Sequence, residues 1–306
     1  MEERNIRSVS VGVVCVASAQ LLTQCLSSLQ GQRGAPHFDV AVVCDPAIAN
    51  VDAVRRQFLD VRIVINDGQH TPLQLVSRVL RECAGELILL TKDQCVPGPD
   101  WVRAMVEAQA PGRAVVGGRV ELASDASATD WAFYFIDFHR YAAPVTGGVA
   151  PSLTVCNVSY RRSRLDTIRE LWQETFVETT INDALAARFG RLWLHPGPEV
   201  TLHRHLPLRD AIVERYTLGR LFGYSRLATS TPRQRFFYAA FAPALPLVLL
   251  GRMLGTALRS RRHAAAFVRS FIPLTLMVLG RSWGEWLAYV TGAPPRRATL
   301  SHRRPD

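Results

Sequence analysis

Residues 87–101 have the sequence LILLTKDQCVPGPDW, in which a short apolar run leads into a polar turn and a proline-rich loop. The run Leu87–Leu90 is typical of a strand buried on both faces, as strands are in parallel sheets. Asp93 follows it closely, and Pro97 and Pro99 then interrupt regular structure. The stretch therefore predicts a buried strand that ends beside a carboxylate.

The residues before this stretch alternate between strand and helix patterns. Val9–Val16 and Val40–Cys44 are β-branched runs that predict buried strands, and Val61–Ile65 predicts a short one. Apolar residues recur at helical spacing over Leu21–Leu29 and Leu73–Cys83. This order predicts an α/β fold, with a Rossmann-like, mostly parallel sheet and helices on both faces.

Two acidic residues follow predicted strands, Asp45 after the second and Asp93 after the fourth. Ligands of open α/β sheets bind beyond the carboxyl ends of the strands. Aspartate is also common in turns, so either residue alone indicates little. Together they predict a site for a nucleotide and a metal.

Five segments resemble glycosyltransferase family 2, whose members have the GT-A fold. They are Thr91–Trp101, with an acid followed by Cys-x-Pro-x-Pro-Asp-Trp; Asn157 with Val158–Arg162; Glu178, twelve residues before Gly190; Pro196–His203, similar to a Pro-x-x-x-Val-x-His ending; and the basic residues Arg215, Arg220 and Arg226. The resemblance implies a membrane-associated, bacterial-type glycosyltransferase.

The resemblance also implies catalytic roles. Asp93 would hold Mg²⁺ or Mn²⁺, which acts as a Lewis acid on the leaving diphosphate. His203 would be a second metal ligand or would contact the diphosphate; a histidine at a strand end with a satisfied hydrogen bond is the simpler alternative. Glu178 would take the proton of the acceptor hydroxyl in an inverting transfer. A carboxylate that stabilises a helix N-terminus is the alternative for Glu178.

The donor would be bound by other residues of the resembling segments. Asp45 would accept hydrogen bonds from uracil or ribose, and Asn157 would bind the sugar or the acceptor; both residue types also form turns. Three arginines would bind the phosphates through charge-assisted contacts, namely Arg215, Arg220 and Arg226. A basic surface that faces a membrane is the alternative for these three.

Three segments depart from the family pattern. Ser77–Leu80 stands where the family has an Arg-Asn-x-Gly segment before the acidic motif. The acidic motif keeps a single carboxylate, Asp93, between Lys92 and Gln94, and Lys92 is the only lysine of the chain. Thr179 stands where the family has the second acid of a Glu-Asp pair. A catalytically degenerate GT-A domain, which binds a nucleotide-sugar or a partner without turnover, is therefore the alternative function.

The charge is unevenly placed along the chain. Residues 1–200 hold 19 basic and 22 acidic side chains, whereas residues 201–306 hold 17 arginines and 4 acids. An excess of arginine beside apolar stretches suits an anionic membrane surface. Basic and aromatic residues are not interleaved, so nucleic acid is not expected as a partner. We expect a GT-A domain at 1–205, a basic interfacial helical segment at 206–232 and a membrane-associated helical hairpin at 233–306.

The two apolar C-terminal stretches, Phe236–Gly251 and Phe271–Gly280, are shorter than the ~20 residues of a spanning helix. Two spans would also place the linker arginines opposite the catalytic domain, against the positive-inside tendency. Those arginines are Arg259, Arg261, Arg262 and Arg269. Interfacial or re-entrant helices on the cytoplasmic face are favoured, with two spans or a buried soluble pair as alternatives.

These patterns predict an enzyme that transfers a sugar from a nucleotide-sugar, expected to be a UDP-sugar. The membrane-associated tail predicts a membrane-proximal glycan or a lipid-linked molecule as the acceptor.

Overall fold

A computed structural model describes residues 6–68, 70–227, 230–258 and 260–293, so the predicted linker residue Arg259 lies outside the described residues. These residues form two compact units. Unit 1 comprises the described part of Met1–Ala123 together with Tyr141–His203, and unit 2 comprises Ser124–Arg140 with the described part of Arg204–Asp306.

The described elements are, in chain order, β1 (Val9–Cys15), α1 (Ala19–Gln30), β2 (Phe38–Cys44), α2 (Val51–Gln57), β3 (Arg62–Ile65), α3 (Pro72–Glu82), β4 (Leu87–Lys92), β5 (Cys95–Pro97), α4 (Trp101–Glu107), β6 (Arg113–Leu122), α5 (Ala128–Asp137), a 3₁₀ turn (His139–Tyr141), β7 (Gly148–Val149), β8 (Val158–Arg161), α6 (Arg162–Asp166), α7 (Arg169–Trp172), α8 (Glu178–Phe189), β9 (Arg191–Leu202), α9 (Leu208–Leu227), α10 (Pro232–Phe241), a second 3₁₀ turn (Ala242–Ala244), α11 (Leu245–Ala257) and α12 (Arg261–Thr291). The four predicted N-terminal strands are confirmed, and helix α2 was not predicted.

The sheet of unit 1 has the strand order β3-β2-β1-β4-β8-β6-β9-β5, with β7 paired to β9. Its first four strands are parallel, whereas β8 pairs antiparallel with both β4 and β6. The predicted α/β fold with a mixed, mostly parallel sheet is confirmed.

The central strands are covered on both faces. Side chains alternate along a strand, and Ile88 and Leu90 of β4 lie in a buried cluster with residues of α3 and α8 such as Leu75 and Leu185. Leu89, which points to the opposite face, is equally buried. Burial on both faces explains the continuous apolar runs of these strands, and it leaves the strand ends as the accessible part of the sheet.

Unit 2 includes α5, which the sequence placed in the first domain. Trp131 and Phe135 of α5 pack against His263 and Phe267 of α12, with ring centroids 5.8 and 5.4 Å apart. This aromatic contact joins residues far apart in sequence, so the sequence pattern does not reveal it.

Helices α9 and α12 pack closely through glycines. A Cβ atom on Gly219 would collide with the carbonyl oxygen of Arg281, and one on Gly284 would collide with that of Tyr216. Small residues four apart allow two helix backbones to approach each other in this way.

Two helical segments of unit 2 are long and apolar enough to cross a membrane. Pro232–Ala257 has 26 residues with a mean hydropathy of 1.6, and Arg261–Thr291 has 31 residues with a mean hydropathy of 1.4. Both exceed the ~20 residues that a span needs. The expectation that these segments are too short to span is therefore wrong, because each helix continues beyond its uncharged stretch.

Candidate active site

The predicted aspartates flank the carboxyl end of β1. The backbone N–H of Asp45 donates to the carbonyl of Cys15 at 2.9 Å, and that of Asp93 donates to the carbonyl of Val14 at 3.0 Å. Strands β2 and β4 lie on either side of β1. Because neighbouring strands lie about 4.8 Å apart, the two aspartate backbones are roughly 10 Å apart at one edge of the sheet.

Asp93 is fully buried, and its carboxylate binds backbone. One oxygen accepts from the N–H groups of Val16, Ala17 and Ser18 at 3.2, 2.7 and 3.1 Å. The other accepts from the N–H of Gln94 at 3.0 Å. Burial raises the pKa of Asp93, and the hydrogen bonds from the loop oppose that rise. These four donors match the roughly four acceptor positions of a carboxylate, so Asp93 fixes the loop between β1 and α1.

The residues at this edge do not fit the predicted metal. The Asp93 oxygens face the loop, and the neighbouring Lys92 and Gln94 are a cation and a neutral amide. The predicted second ligand, His203, lies beside them, since its backbone N–H donates to the Gln94 carbonyl at 2.7 Å. Hard cations need several oxygen ligands, and the described residues contain no cluster of three or more His, Cys, Asp or Glu that could hold a metal. In this structure the Asp93 carboxylate thus binds backbone N–H groups, and the described residues around it do not form a set of metal ligands.

Lys92 and Glu178 both lie near the carboxyl end of β4. The hydroxyl of Thr91, the residue before Lys92, donates to the carbonyl of Cys156 at 3.0 Å, and Cys156 follows the residue that binds Glu178. Lys92 is the last residue of β4, is half-buried and pairs in register with Val14 of β1. Glu178 is the first residue of α8, and its carboxylate accepts from the N–H of Val155 at 2.9 Å. Burial raises the pKa of Glu178 to about 7, while the Val155 hydrogen bond and the charge of Lys92 oppose the rise. A base with a pKa near neutrality is suited to proton transfer at physiological pH.

Asp45 is half-buried in a turn. Its Oδ1 atom accepts from the N–H of Ala47 at 2.8 Å, as in an Asx turn. The turn fixes the carboxylate at the end of β2, where it could accept a further hydrogen bond.

Residues 10–169 match the sequence family described as "Glycosyl transferase family 2". The chain belongs to glycosyltransferase family 2. No curated protein sequence matches it.

Among solved structures, a mannosyltransferase shares the fold of this glycosyltransferase. A mannosyltransferase from Pyrobaculum calidifontis, solved in complex with GDP-Man and Mn²⁺, is similar with a TM-score of 0.53 and 18% identity over 94% of this chain and 86% of that one. Residues 1–349 of TarS from S. aureus give a TM-score of 0.47 and 14% identity over 94% of this chain and 93% of that one.

Asn157 does not have the donor-binding role that the resemblance to this family implied. It is fully buried. Its side-chain oxygen accepts from the indole N–H of Trp101 at 2.7 Å, and its amide donates to the carbonyls of Arg119 and Pro198 at 2.6 and 3.2 Å. Asn157 therefore holds together strands and a helix of the glycosyltransferase core, because its hydrogen-bonding groups are already used.

Arg215 of the glycosyltransferase is a structural residue of unit 2. It is buried, and its guanidinium makes two 2.8 Å hydrogen bonds with the carboxylate of Asp137. It also lies over the ring of Phe133 at 4.6 Å. Because this bidentate pair uses the fork of the guanidinium, the predicted phosphate contact is not available to Arg215.

The other two predicted arginines also have partners inside unit 2. Arg220 donates to Thr291 Oγ1 at 3.2 Å and to the Ala293 carbonyl at 3.1 Å, near the end of α12. Arg226 donates to the Tyr289 hydroxyl at 3.3 Å and lies 3.6 Å from the Glu285 carboxylate. Both tie α9 to α12, so the predicted role in phosphate binding is not supported for either residue.

The sequence did not identify two features of the glycosyltransferase site. The backbone N–H groups of residues 16–18 bind Asp93, and no side-chain pattern marks such donors. Lys92 and Glu178 are 86 positions apart in the chain, so no local sequence pattern shows that both lie near the end of β4.

Proposed function

We propose that this family member transfers a sugar from a nucleotide-sugar to a membrane-proximal acceptor, with inversion at the anomeric carbon. The supporting observation is that Glu178, a carboxylate with a pKa near 7, is bound by the N–H of Val155, and that the next residue, Cys156, is bound by Thr91 at the carboxyl end of β4, where Lys92 lies. Ligands of α/β sheets bind at this edge. The fold and the charged pair thus favour a site for a sugar diphosphate.

In this proposal Glu178 is the catalytic base. Its deprotonated carboxylate accepts the proton of the acceptor hydroxyl as the oxygen attacks the anomeric carbon. A positioned base of this kind contributes on the order of 10²–10⁴-fold in rate. The hydrogen bond from Val155 holds the carboxylate in place.

The proposed donor is a UDP-sugar, with Asp45 as an acceptor for the base or ribose. The similar mannosyltransferase is in complex with GDP-Man, so the guanosine donor is the direct competitor. Both donors present the same diphosphate to the edge of the sheet, and they differ in the base that Asp45 would meet.

A Mg²⁺ or Mn²⁺ ion was also expected, and the similar mannosyltransferase is in complex with Mn²⁺. In this chain both oxygens of the carboxylate expected to bind the ion accept hydrogen bonds from backbone N–H groups. The proposed reaction therefore includes no step through a metal.

The proposed location is the cytoplasmic face of an anionic membrane, with unit 2 as an interfacial hairpin. Apolar side chains of α10 and α11 are exposed, including Phe236, Phe241 and Leu247. The carboxyl half of α12 packs on α9, as Gly284 does on Tyr216. A spanning α12 would draw the charged residues of α9 into hydrocarbon, at about 2.5–3.5 kcal/mol for each charge. An interfacial position keeps these charges in water.

The test uses purified full-length protein with a panel of UDP-sugars and GDP-sugars. The protein is added to vesicles of anionic lipid that contain extracted membrane lipids as acceptors. We expect release of one nucleoside diphosphate and flotation of the protein with anionic, but not zwitterionic, vesicles. Absence of both nucleotide binding and release across the panel would contradict the proposal.

A second function, binding without turnover, is favoured by Thr179. This residue is exposed and supplies no carboxylate at the position where the family has an acid. Nucleotide-sugar binding detected by thermal shift, with no release of nucleoside diphosphate in the presence of acceptor lipids, would favour this alternative.

A further inference from the structure

Lys92, the single lysine of the chain, is the last residue of a central strand of the sheet. Lys92 ends β4 beside β1, which has a strand on either side. By strand alternation its side chain leaves the sheet on the same face as Ile88 and Leu90. Those two residues lie in the apolar cluster covered by α3 and α8. The ammonium group thus lies at the end of an apolar face, near the point where α8 begins at Glu178.

The charges at this point differ from those of a metal site. Asp93, the carboxylate that follows β4, faces the loop and accepts from four backbone N–H groups, three on one oxygen and one on the other. The Lys92 ammonium would repel a divalent cation placed beside it. The same ammonium would attract a diphosphate, for which lysine is a common partner in proteins. At the end of β4 the charge of Lys92 therefore favours an anion over a divalent cation.

We propose that Lys92 binds the diphosphate of the donor and stabilises it as it leaves, in the place of a divalent metal. The inference rests on the proposed function, and it adds how the leaving group is held. It predicts a glycosyltransferase that works without added metal.

The reaction balances without a further reactant. The acceptor oxygen forms a bond to the anomeric carbon, and the bond from that carbon to the β-phosphate oxygen breaks. The electron pair of the broken bond remains on the nucleoside diphosphate, next to the Lys92 ammonium, which stays protonated. The proton of the acceptor hydroxyl passes to Glu178. A preorganised charge at the atom where negative charge develops is a large contributor to catalysis.

The variants that test the inference are Lys92→Met, which removes the charge, and Lys92→Arg, which keeps it. Arg62→Met is the control, since Arg62 is a cation at the start of β3, which is parallel to β4 and separated from it by β2 and β1, so it lies at the opposite ends of the strands from Lys92. Nucleoside diphosphate release is measured in EDTA for all four proteins. Thermal shifts are measured in EDTA with inorganic pyrophosphate, UDP, GDP, uridine and guanosine.

The wild type and Arg62→Met should release nucleoside diphosphate in EDTA. Lys92→Met should lose about 10²-fold or more in turnover, as enzymes do when one charge-stabilising donor is removed. Pyrophosphate should raise the melting temperature of the wild type and of Lys92→Arg, but not that of Lys92→Met. The shift with the uncharged nucleoside should be unchanged in Lys92→Met.

Three results would overturn the inference. Wild-type activity that disappears in EDTA and returns with Mn²⁺ would assign the diphosphate to a metal, and the proposed glycosyl transfer would stand. Full turnover by Lys92→Met would also leave the transfer intact and remove the role of Lys92. Failure of the wild type to bind any nucleotide or pyrophosphate would contradict both the role of Lys92 and the proposed glycosyl transfer. If Lys92→Met does not fold, the wild-type responses to EDTA and to pyrophosphate still decide.

Discussion

The carboxyl edge of the sheet in unit 1 and the α9–α12 pair in unit 2 both hold charged side chains, but they differ in how these are used. In unit 2 the guanidinium of Arg215 is buried against Asp137, and Arg220 caps the end of α12. At the sheet edge, Lys92 and Glu178 are half-buried at the ends of a strand and a helix. The arginines of unit 2 join helices to one another, whereas we infer that Lys92 and Glu178 lie where a ligand of the sheet would bind.

The largest expected effect is a loss of activity, and it concerns only the sheet edge of unit 1. Glu178→Gln should lower kcat by 10²–10⁴-fold, because the amide cannot accept the acceptor's proton. The Val155 N–H keeps an acceptor oxygen, so folding should be retained. Steady-state release of nucleoside diphosphate measures the effect. Glu174→Gln, which changes an exposed acid in the segment before α8, is the control and should behave as the wild type. A normal kcat for Glu178→Gln would show that Glu178 is not the catalytic base.

Asp93→Asn tests whether the sheet edge also contains a purely structural charge. The amide would place an N–H group against backbone N–H donors, and we expect a loss of about 3 kcal/mol in the free energy of unfolding. Urea denaturation measures the loss. A variant that keeps its unfolding midpoint but loses turnover would instead show that Asp93 contacts the substrate or a metal.

Arg215→Met makes the corresponding test in unit 2. Removal of one partner from a buried ion pair should destabilise the protein by about 2–3 kcal/mol, since the exposed part of Asp137 can regain some solvent. Arg220→Met, which removes a more exposed cation, should cost less than 1 kcal/mol. Both are measured by urea denaturation. Weakened UDP binding by Arg215→Met, without loss of stability, would mean that Arg215 binds the donor phosphates.

These variants also show what the sequence could establish. Continuous β-branched runs predicted β1 and β2, and the topology rule placed Asp45 and Asp93 at one edge. The sequence could not show that Asp93 turns towards the loop between β1 and α1, because backbone N–H donors have no sequence signature. It could not show the Arg215 pair either, because Asp137 is 78 residues away in the chain. Segments set by local pattern were predictable, and partners brought together by packing were not.

The pH dependence of the reaction sharpens the assignment of Glu178. Its pKa is raised from 4.5 to about 7, and the base must be deprotonated to act. We expect kcat/KM to fall about tenfold for each pH unit below about 7 and to level off above it. The contribution of Glu178 to stability should change with pH in the opposite direction to the activity. A carboxyl with a raised pKa in the folded state stabilises the protein at low pH, and this stabilisation is lost as the pH rises from about 4.5 to 7. Glu178→Gln should remove this pH dependence of the unfolding midpoint. An activity profile flat between pH 5 and 8 would contradict the assignment.

The smallest expected effect is on UDP binding and concerns Asp45, which lies across β1 from Lys92. Asp45→Asn keeps an oxygen for the Ala47 N–H, so the turn and the stability should be unchanged. The second carboxylate oxygen becomes an N–H donor, and the loss of one hydrogen bond to the base or ribose should weaken UDP binding by about 5–10-fold. Isothermal titration with UDP and with pyrophosphate separates the contacts, because pyrophosphate lacks the nucleoside and should bind Asp45→Asn as it binds the wild type. Equal weakening for both ligands would mean that Asp45 acts on the diphosphate, on the same side of the site as Lys92.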